Sequence, residues 1–238
     1  MTSYTFNQRV ADVLLFKGYF IAGHLYSPRV GYFPVYPESR RVFSITSKLK
    51  LVAEELSKTI VPPNADLVAS REAAGIPFGV ATALEAQKGF LYLRKEPKQY
   101  IASRIIEGVF LPGQRVVIVD DAVSRTHDKK TAIDQLTAAG LQVVGVSVLL
   151  DAAYGVTDAE QAWLRQSSEY QFATLVRWDD LMRYAAEKKF ISAALADIVV
   201  AWIADPFRWS EDAENWQRFK AVAAREPNVV FDPSFKEI

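Results

Sequence analysis

Apolar residues recur along this chain with two different periods, and the switches between them mark its elements. Across residues 6–20, Val10, Val13, Leu14 and Phe16 fall at roughly helical spacing and Gly18 supplies a stop, which predicts an amphipathic packing or lid helix. Residues 26–37 set Pro28, Pro34 and Pro37 among Tyr26, Tyr32, Phe33 and Tyr36. Proline donates nothing to a strand ladder, so this segment is expected to be turn-rich, no interior strand, with its rings available to wall a pocket. Residues 46–60 return to a 3.6 period and predict a helix, followed by a short buried strand at 65–69. The alternation continues with a helix at 76–86, a strand at 90–93, a strand at 115–120, a helix at 128–139 and a strand at 142–150. Strands separated by helices pair in parallel through right-handed crossovers. The expected fold is therefore α/β, a central parallel sheet flanked by helices.

Past Asp151 the pattern predicts a helix at 158–165, an edge strand at 172–176 and a helix at 179–188. Trp202, Trp209 and Trp216 then recur every seven residues, which on one continuous helix would form a stripe, with Pro206 interrupting or starting that helix. A domain over 1–202 and a helical C-terminal extension over 203–238 that packs on it are expected, because such a stripe buries far more apolar area than a free tail exposes.

Composition narrows the chemistry. The 238 residues can bury a substantial core, half of them are apolar, and Lys+Arg balances Asp+Glu at 28 each. No overall field draws the chain to nucleic acid or to an anionic membrane, so a small-molecule ligand is the better fit. There is no cysteine, which excludes disulfides, thiolate nucleophiles and cysteine-rich zinc sites; His24 and His127 are the only imidazoles. A metal, if used, is expected on oxygen. No window reaches the ~18 apolar residues of a spanning helix, and no basic segment leads into an apolar run at the N-terminus. The expectation is a soluble, cytoplasmic protein.

The run from Gln114 to Asp128, QRVVIVDDAVSRTHD, carries the chemistry. A β-branched run suits a parallel strand buried on both faces, and this one closes on two adjacent carboxylates, Asp120 and Asp121. Two other strands close on polar loops, at Ser70-Arg71-Glu72 and at Arg94-Lys95-Glu96-Pro97-Lys98. Ligands gather outside the carboxyl ends of such strands. Taken singly, each has a plain structural alternative: Asp often ends a strand and caps a turn, and a basic run is usually a solvated loop.

Together these segments resemble type I phosphoribosyltransferases, nearest the orotate branch, over about residues 20–155. Residues 116–128 are similar to the family's phosphoribosyl pyrophosphate signature. There Asp120 and Asp121 would orient the ribose hydroxyls and weakly assist a metal, mostly through substrate and water, and the loop of Ser124, Arg125, Thr126, His127 and Asp128 would hold the 5′-phosphate. Residues 68–77, VASREAAGIP, are similar to the pyrophosphate loop, with Arg71 a cation for the diphosphate and Gly75 read as permitting an awkward turn. Residues 90–108 are similar to the mobile catalytic loop, in which Arg94, Lys95 and Lys98 would neutralise pyrophosphate and Lys98 would cross into the partner subunit. Tyr32 and Phe33 lie where the family places its base pocket. The resemblance implies transfer of the phosphoribosyl group to a nitrogenous aromatic base, Mg²⁺, an N-terminal hood over the sheet and a homodimer that binds neither nucleic acid nor membrane.

Two departures stand out. Family members place small residues after the acids; here Arg125, Thr126, His127 and Asp128 take those positions. A carboxylate ~4 Å from a phosphate costs on the order of 4 kcal/mol per charge pair at a surface-like dielectric, unless Asp128 turns away or Arg125 or protonated His127 offsets it. Beyond Asp151, Ala152 stands where an arginine would meet the orotate carboxylate. Orotate is therefore not the expected acceptor, and a phosphoribosyltransferase fold retained as a nucleotide-binding regulator or scaffold is the alternative.

Overall fold

The computed structural model describes residues 4–28, 30–60, 65–96, 104–124, 127–152, 163 and 169–237. They divide into two compact units, one built mainly from 43–151 and 157–175, the other from 6–42, 152–156 and 176–238.

The first unit holds a six-stranded sheet. Its strands are β3 (Leu67–Arg71), β4 (Gly89–Leu93), β5 (Ile106–Glu107), β6 (Arg115–Val123), β7 (Gln142–Asp151) and β8 (Gln171–Arg177), in the order β5-β4-β3-β6-β7-β8. β4, β3, β6 and β7 are mutually parallel, and β5 adds an antiparallel edge. Helices α2 (Thr46–Ile60), α3 (Gly75–Glu85) and α4 (His127–Ala138) lie in the connections, as the 3.6 period predicts. Val116, Val117, Ile118 and Val119 are fully buried, because β6 is interior and its neighbours pair on both sides. One face joins Leu67, Leu91, Leu93, Ile118, Val146 and Val148 to Ala132 and Leu136 of α4 in a continuous core. At the other face, α3 lies against β3 and β6, α2 lies against α3 and β7, and Phe43 meets Phe78 edge-on. β6 does not stop at the two acids. It runs on to Val123, because β7 stays paired with it from Arg115↔Gln142 to Val123↔Asp151.

The second unit contains α1 (Gln8–Leu14) and a three-stranded sheet in the order β2-β1-β9, made of β1 (Phe20–Ser27), β2 (Gly31–Pro37) and β9 (Val230–Phe231). The helix expected over 6–20 is half that length. Asn7 caps its start, and after Leu15 the chain turns through Gly18, φ +94°, into β1. Residues 26–37, expected as turns, form a hairpin in which Ile21 faces Tyr36 and Tyr26 faces Tyr32. Its prolines are tolerated because β2 is an edge strand.

Helices α5 (Trp178–Glu187), α6 (Ala193–Ala204), α7 (Pro206–Glu211) and α8 (Ala213–Ala223) complete this unit. The three tryptophans do not share one helix. Asp205 and Asp212 cap new starts, with Pro206 opening α7, so Trp202, Trp209 and Trp216 sit on three successive helices. All three are nonetheless buried, and Trp209 and Trp216 stack edge-on at 5.0 Å. The Trp202 indole donates to the Tyr32 carbonyl at 3.1 Å, and within the 203–238 segment the Ser210 hydroxyl donates to the same carbonyl at 2.9 Å, so that segment shares its unit with β1 and β2. The helix expected at 158–165 lies outside the described residues except for Trp163.

Candidate functional site

Parallel register brings three polar strand ends to one edge. Arg71 pairs with Leu93 across β3 and β4, and Ala69 pairs with Ile118 across β3 and β6, so Arg71, Arg94 and Asp120 end at nearly the same height. Asp120 is 7% exposed. One of its carboxylate oxygens accepts the Asp121 backbone N–H at 2.9 Å, and the other accepts a hydrogen bond from the ammonium of Lys129 in a buried ion pair.

Gly75 earns its place sterically. Its φ is not left-handed, so the turn does not require glycine; a Cβ there would stand 2.5 Å from Asp120 Oδ1. The start of α3 thus presses directly on the Asp120 carboxylate. Ser70 ties β3 to β6 beside it, its hydroxyl donating to the Val119 carbonyl at 2.8 Å.

Asp121 is half-buried, and its carboxyl is pushed up to about 7, first by burial and then by the charge and hydrogen bonding of Asp120; Lys129 and the Ala122 backbone pull the other way. Lys129, by contrast, sits in the first turn of α4, where the positive end of the helix dipole opposes a cation by roughly 0.3–1 kcal/mol. The ion pair with Asp120, with Asp121 also nearby, offsets that burial.

Arg71 reaches across to the same helix start. Its guanidinium donates to the Asp128 carboxylate at 3.1 Å and to the Asp128 carbonyl at 3.2 Å, and its Nε is buried with no hydrogen-bond partner. Asp128 has therefore turned onto a cation. Arg94 is drawn to the edge strand, donating to Tyr92 Oη at 3.3 Å and to Glu107 at 3.4 Å. Lys95 is exposed, and its backbone N–H is held by the Glu72 carboxylate at 2.5 Å.

The edge thus assembles Arg71, Gly75, Asp120, Asp121 and Asp128, with Arg94 and Lys95 beside Glu72. Ser124 follows the end of β6, and His127 opens α4. Arg125, Thr126 and Lys98 lie outside the described residues, as does the His127 side chain. Tyr32 and Phe33 belong to the other unit, where Tyr32 stacks on His24 at 3.9 Å and Phe33 tilts against Trp202 at 6.0 Å. One participant escapes a sequence reading, Lys129, and the hold of Glu72 on the Lys95 backbone is likewise visible only in the fold. Lys129 and Lys130 look like a solvated helix face; the one signal is a lysine placed against the dipole in a first turn. Among the described residues no group of three or more His, Asp or Glu is placed to hold a metal ion, and no helix is long and apolar enough to cross a membrane.

No family model matches the chain. It is 29% identical over 178 residues to the orotate phosphoribosyltransferase of Bacillus caldolyticus, covering 74% of this chain and 84% of that protein. The orotate phosphoribosyltransferase of Listeria monocytogenes is 25% identical over 180 residues, covering 75% and 84%. Among solved structures, Leishmania donovani UMP synthase superposes with a TM-score of 0.71 at 28% identity, over 82% of this chain but only 41% of that one. Orotate phosphoribosyltransferase from Aeropyrum pernix gives 0.63 at 23% identity, over 75% and 98%. The fold is that of the type I phosphoribosyltransferases, and the sequence is similar to the orotate branch.

Proposed function

We propose that the chain binds phosphoribosyl pyrophosphate at the carboxyl edge of its six-stranded sheet and transfers the phosphoribosyl group to a nitrogenous aromatic base, releasing pyrophosphate, as a cytoplasmic homodimer. The observation that carries this reading is the placement of Asp120 and Asp121 on interior strand β6, level with the Arg71 end of the adjacent β3 and with the Arg94–Lys95 end of β4 beyond it. Such a reaction asks the protein mainly to position and to neutralise charge. Asp121, half-buried at the mouth of this edge, is the carboxyl available to ribose hydroxyls. Arg71, with an unused Nε–H, and exposed Lys95 supply cations for the diphosphate. The acceptor is a flat ring other than orotate, because Ala152 offers no charge to a ring carboxylate.

A second reading is favoured by one specific observation: the acids and cations of this edge already satisfy each other, Asp120 with Lys129 and Asp128 with Arg71. A protein that binds the ligand without turnover, as a regulator, matches that economy. A pyrophosphate-release screen of the full chain with phosphoribosyl pyrophosphate and a panel of purines, pyrimidines and nicotinate-like rings decides between them. Release with one non-orotate base supports transfer, efficient formation of orotidine monophosphate overturns the acceptor assignment, and saturable binding without release selects the regulator. Light scattering at micromolar concentration tests the dimer, and a monomer overturns it.

A further inference from the structure

A magnesium ion demands near-octahedral oxygen ligands at about 2.0–2.1 Å and surrenders water reluctantly. Asp120 offers no such ligand. One oxygen is taken by the Lys129 ammonium and the other by the Asp121 backbone N–H, and the second is hemmed in where a Cβ on Gly75 would stand only 2.5 Å away. The whole carboxylate is 7% exposed. Asp121 is then the only one of the two adjacent acids left, and among the described residues no third acid or imidazole joins it in a metal-binding group. These two acids do not supply the direct ligands that a divalent ion held by the protein would need.

What stands in its place is Lys129. The residue is 5% exposed, in contact with Asp120, and located at a helix start whose dipole opposes it. Removing it from Asp120 would strand both an ammonium and a carboxylate away from water, so the pair does not open for an arriving ion. Its charge already cancels one of the two carboxylates that would otherwise repel a polyphosphate. At the same helix start, Arg71 cancels Asp128.

We infer that Lys129 is the resident cation of this acid pair, so that phosphoribosyl pyrophosphate binds at the sheet edge without a divalent ion held by Asp120 and Asp121. This rests on the binding reading proposed above. Calorimetry separates the two: the chelator-treated full chain is titrated with phosphoribosyl pyrophosphate in EDTA and again in millimolar MgCl₂. The expected result is saturable binding in both, with Kd values within about threefold of each other. Binding in MgCl₂ that weakens more than tenfold in EDTA overturns the inference and leaves the binding reading standing. No saturable heat in either buffer overturns both. Lys129→Met is expected to weaken binding in EDTA at least tenfold and to recover part of it on adding Mg²⁺; unchanged affinity in EDTA for a folded Lys129→Met protein also overturns the role given to Lys129. The wild-type comparison decides the matter if that variant does not fold.

Discussion

The guanidinium of Arg71, at the end of β3, lies 3.1 Å from the carboxylate of Asp128, in the first turn of α4, and joins two segments 57 residues apart at the sheet edge. Both side chains are partly shielded, so the pair is worth more than a surface bridge and less than a fully buried one. Arg71→Ala should lower stability by about 1–2 kcal/mol in urea unfolding. Asp128→Ser removes the negative charge and frees Arg71 for an anion. Phosphoribosyl pyrophosphate affinity measured by calorimetry should then rise several-fold, whereas a loss would show that Asp128 positions Arg71 for the ligand.

Asp121 makes stability fall with rising pH. Its folded-state pKa, about 7, lies above the ordinary carboxyl value, so the folded protein binds more protons than the unfolded chain between those two values. Stability from this group is therefore fully expressed near pH 4 and is lost progressively as pH climbs through 7. Melting temperatures at pH 5.5 and 8 should differ in that sense, and Asp121→Asn should flatten the difference.

Gly75→Ala should cost roughly 1–3 kcal/mol, because its methyl would overlap Asp120 Oδ1 and push the carboxylate off Lys129. Chemical denaturation measures the cost. Full stability in this variant would mean that the start of α3 moves away freely.

Trp209 and Trp216 are buried against each other and, through Trp216, against Phe219 and His24. Trp216→Ala should destabilise by about 3–5 kcal/mol. Deletion of 203–238 should lower the melting temperature by many degrees or cause aggregation, as read by differential scanning fluorimetry and gel filtration.

The sheet is legible because 116–119 is an uninterrupted β-branched run and β7 is rich in valine and leucine, a pattern few other environments select, and the acids at 120 and 121 follow the first of them. The β1–β2 hairpin was hidden. Its prolines signal a break, and only its position at a sheet edge, which is a tertiary fact, makes them harmless. The tryptophan spacing of seven suggested one helical stripe, yet two aspartate caps divide it; burial was correctly implied and continuity was not. Lys129 could not be located at all, since an ion pair reaching from a helix back to the preceding strand depends on the intervening loop. Gly75 reads in the sequence as a flexible turn residue, whereas in the fold its constraint is a neighbouring carboxylate.

The hairpin's prolines reach beyond the local fold. β2 closes one side of the three-stranded sheet, and two of its seven residues, Pro34 and Pro37, offer no N–H to an incoming strand; the other side ends in β9, two residues long. A sheet with such borders is a poor template for another chain's backbone. Crowded copies of this protein are therefore guarded at that sheet against fibrous growth by strand addition, and whatever docks on it must do so with side chains.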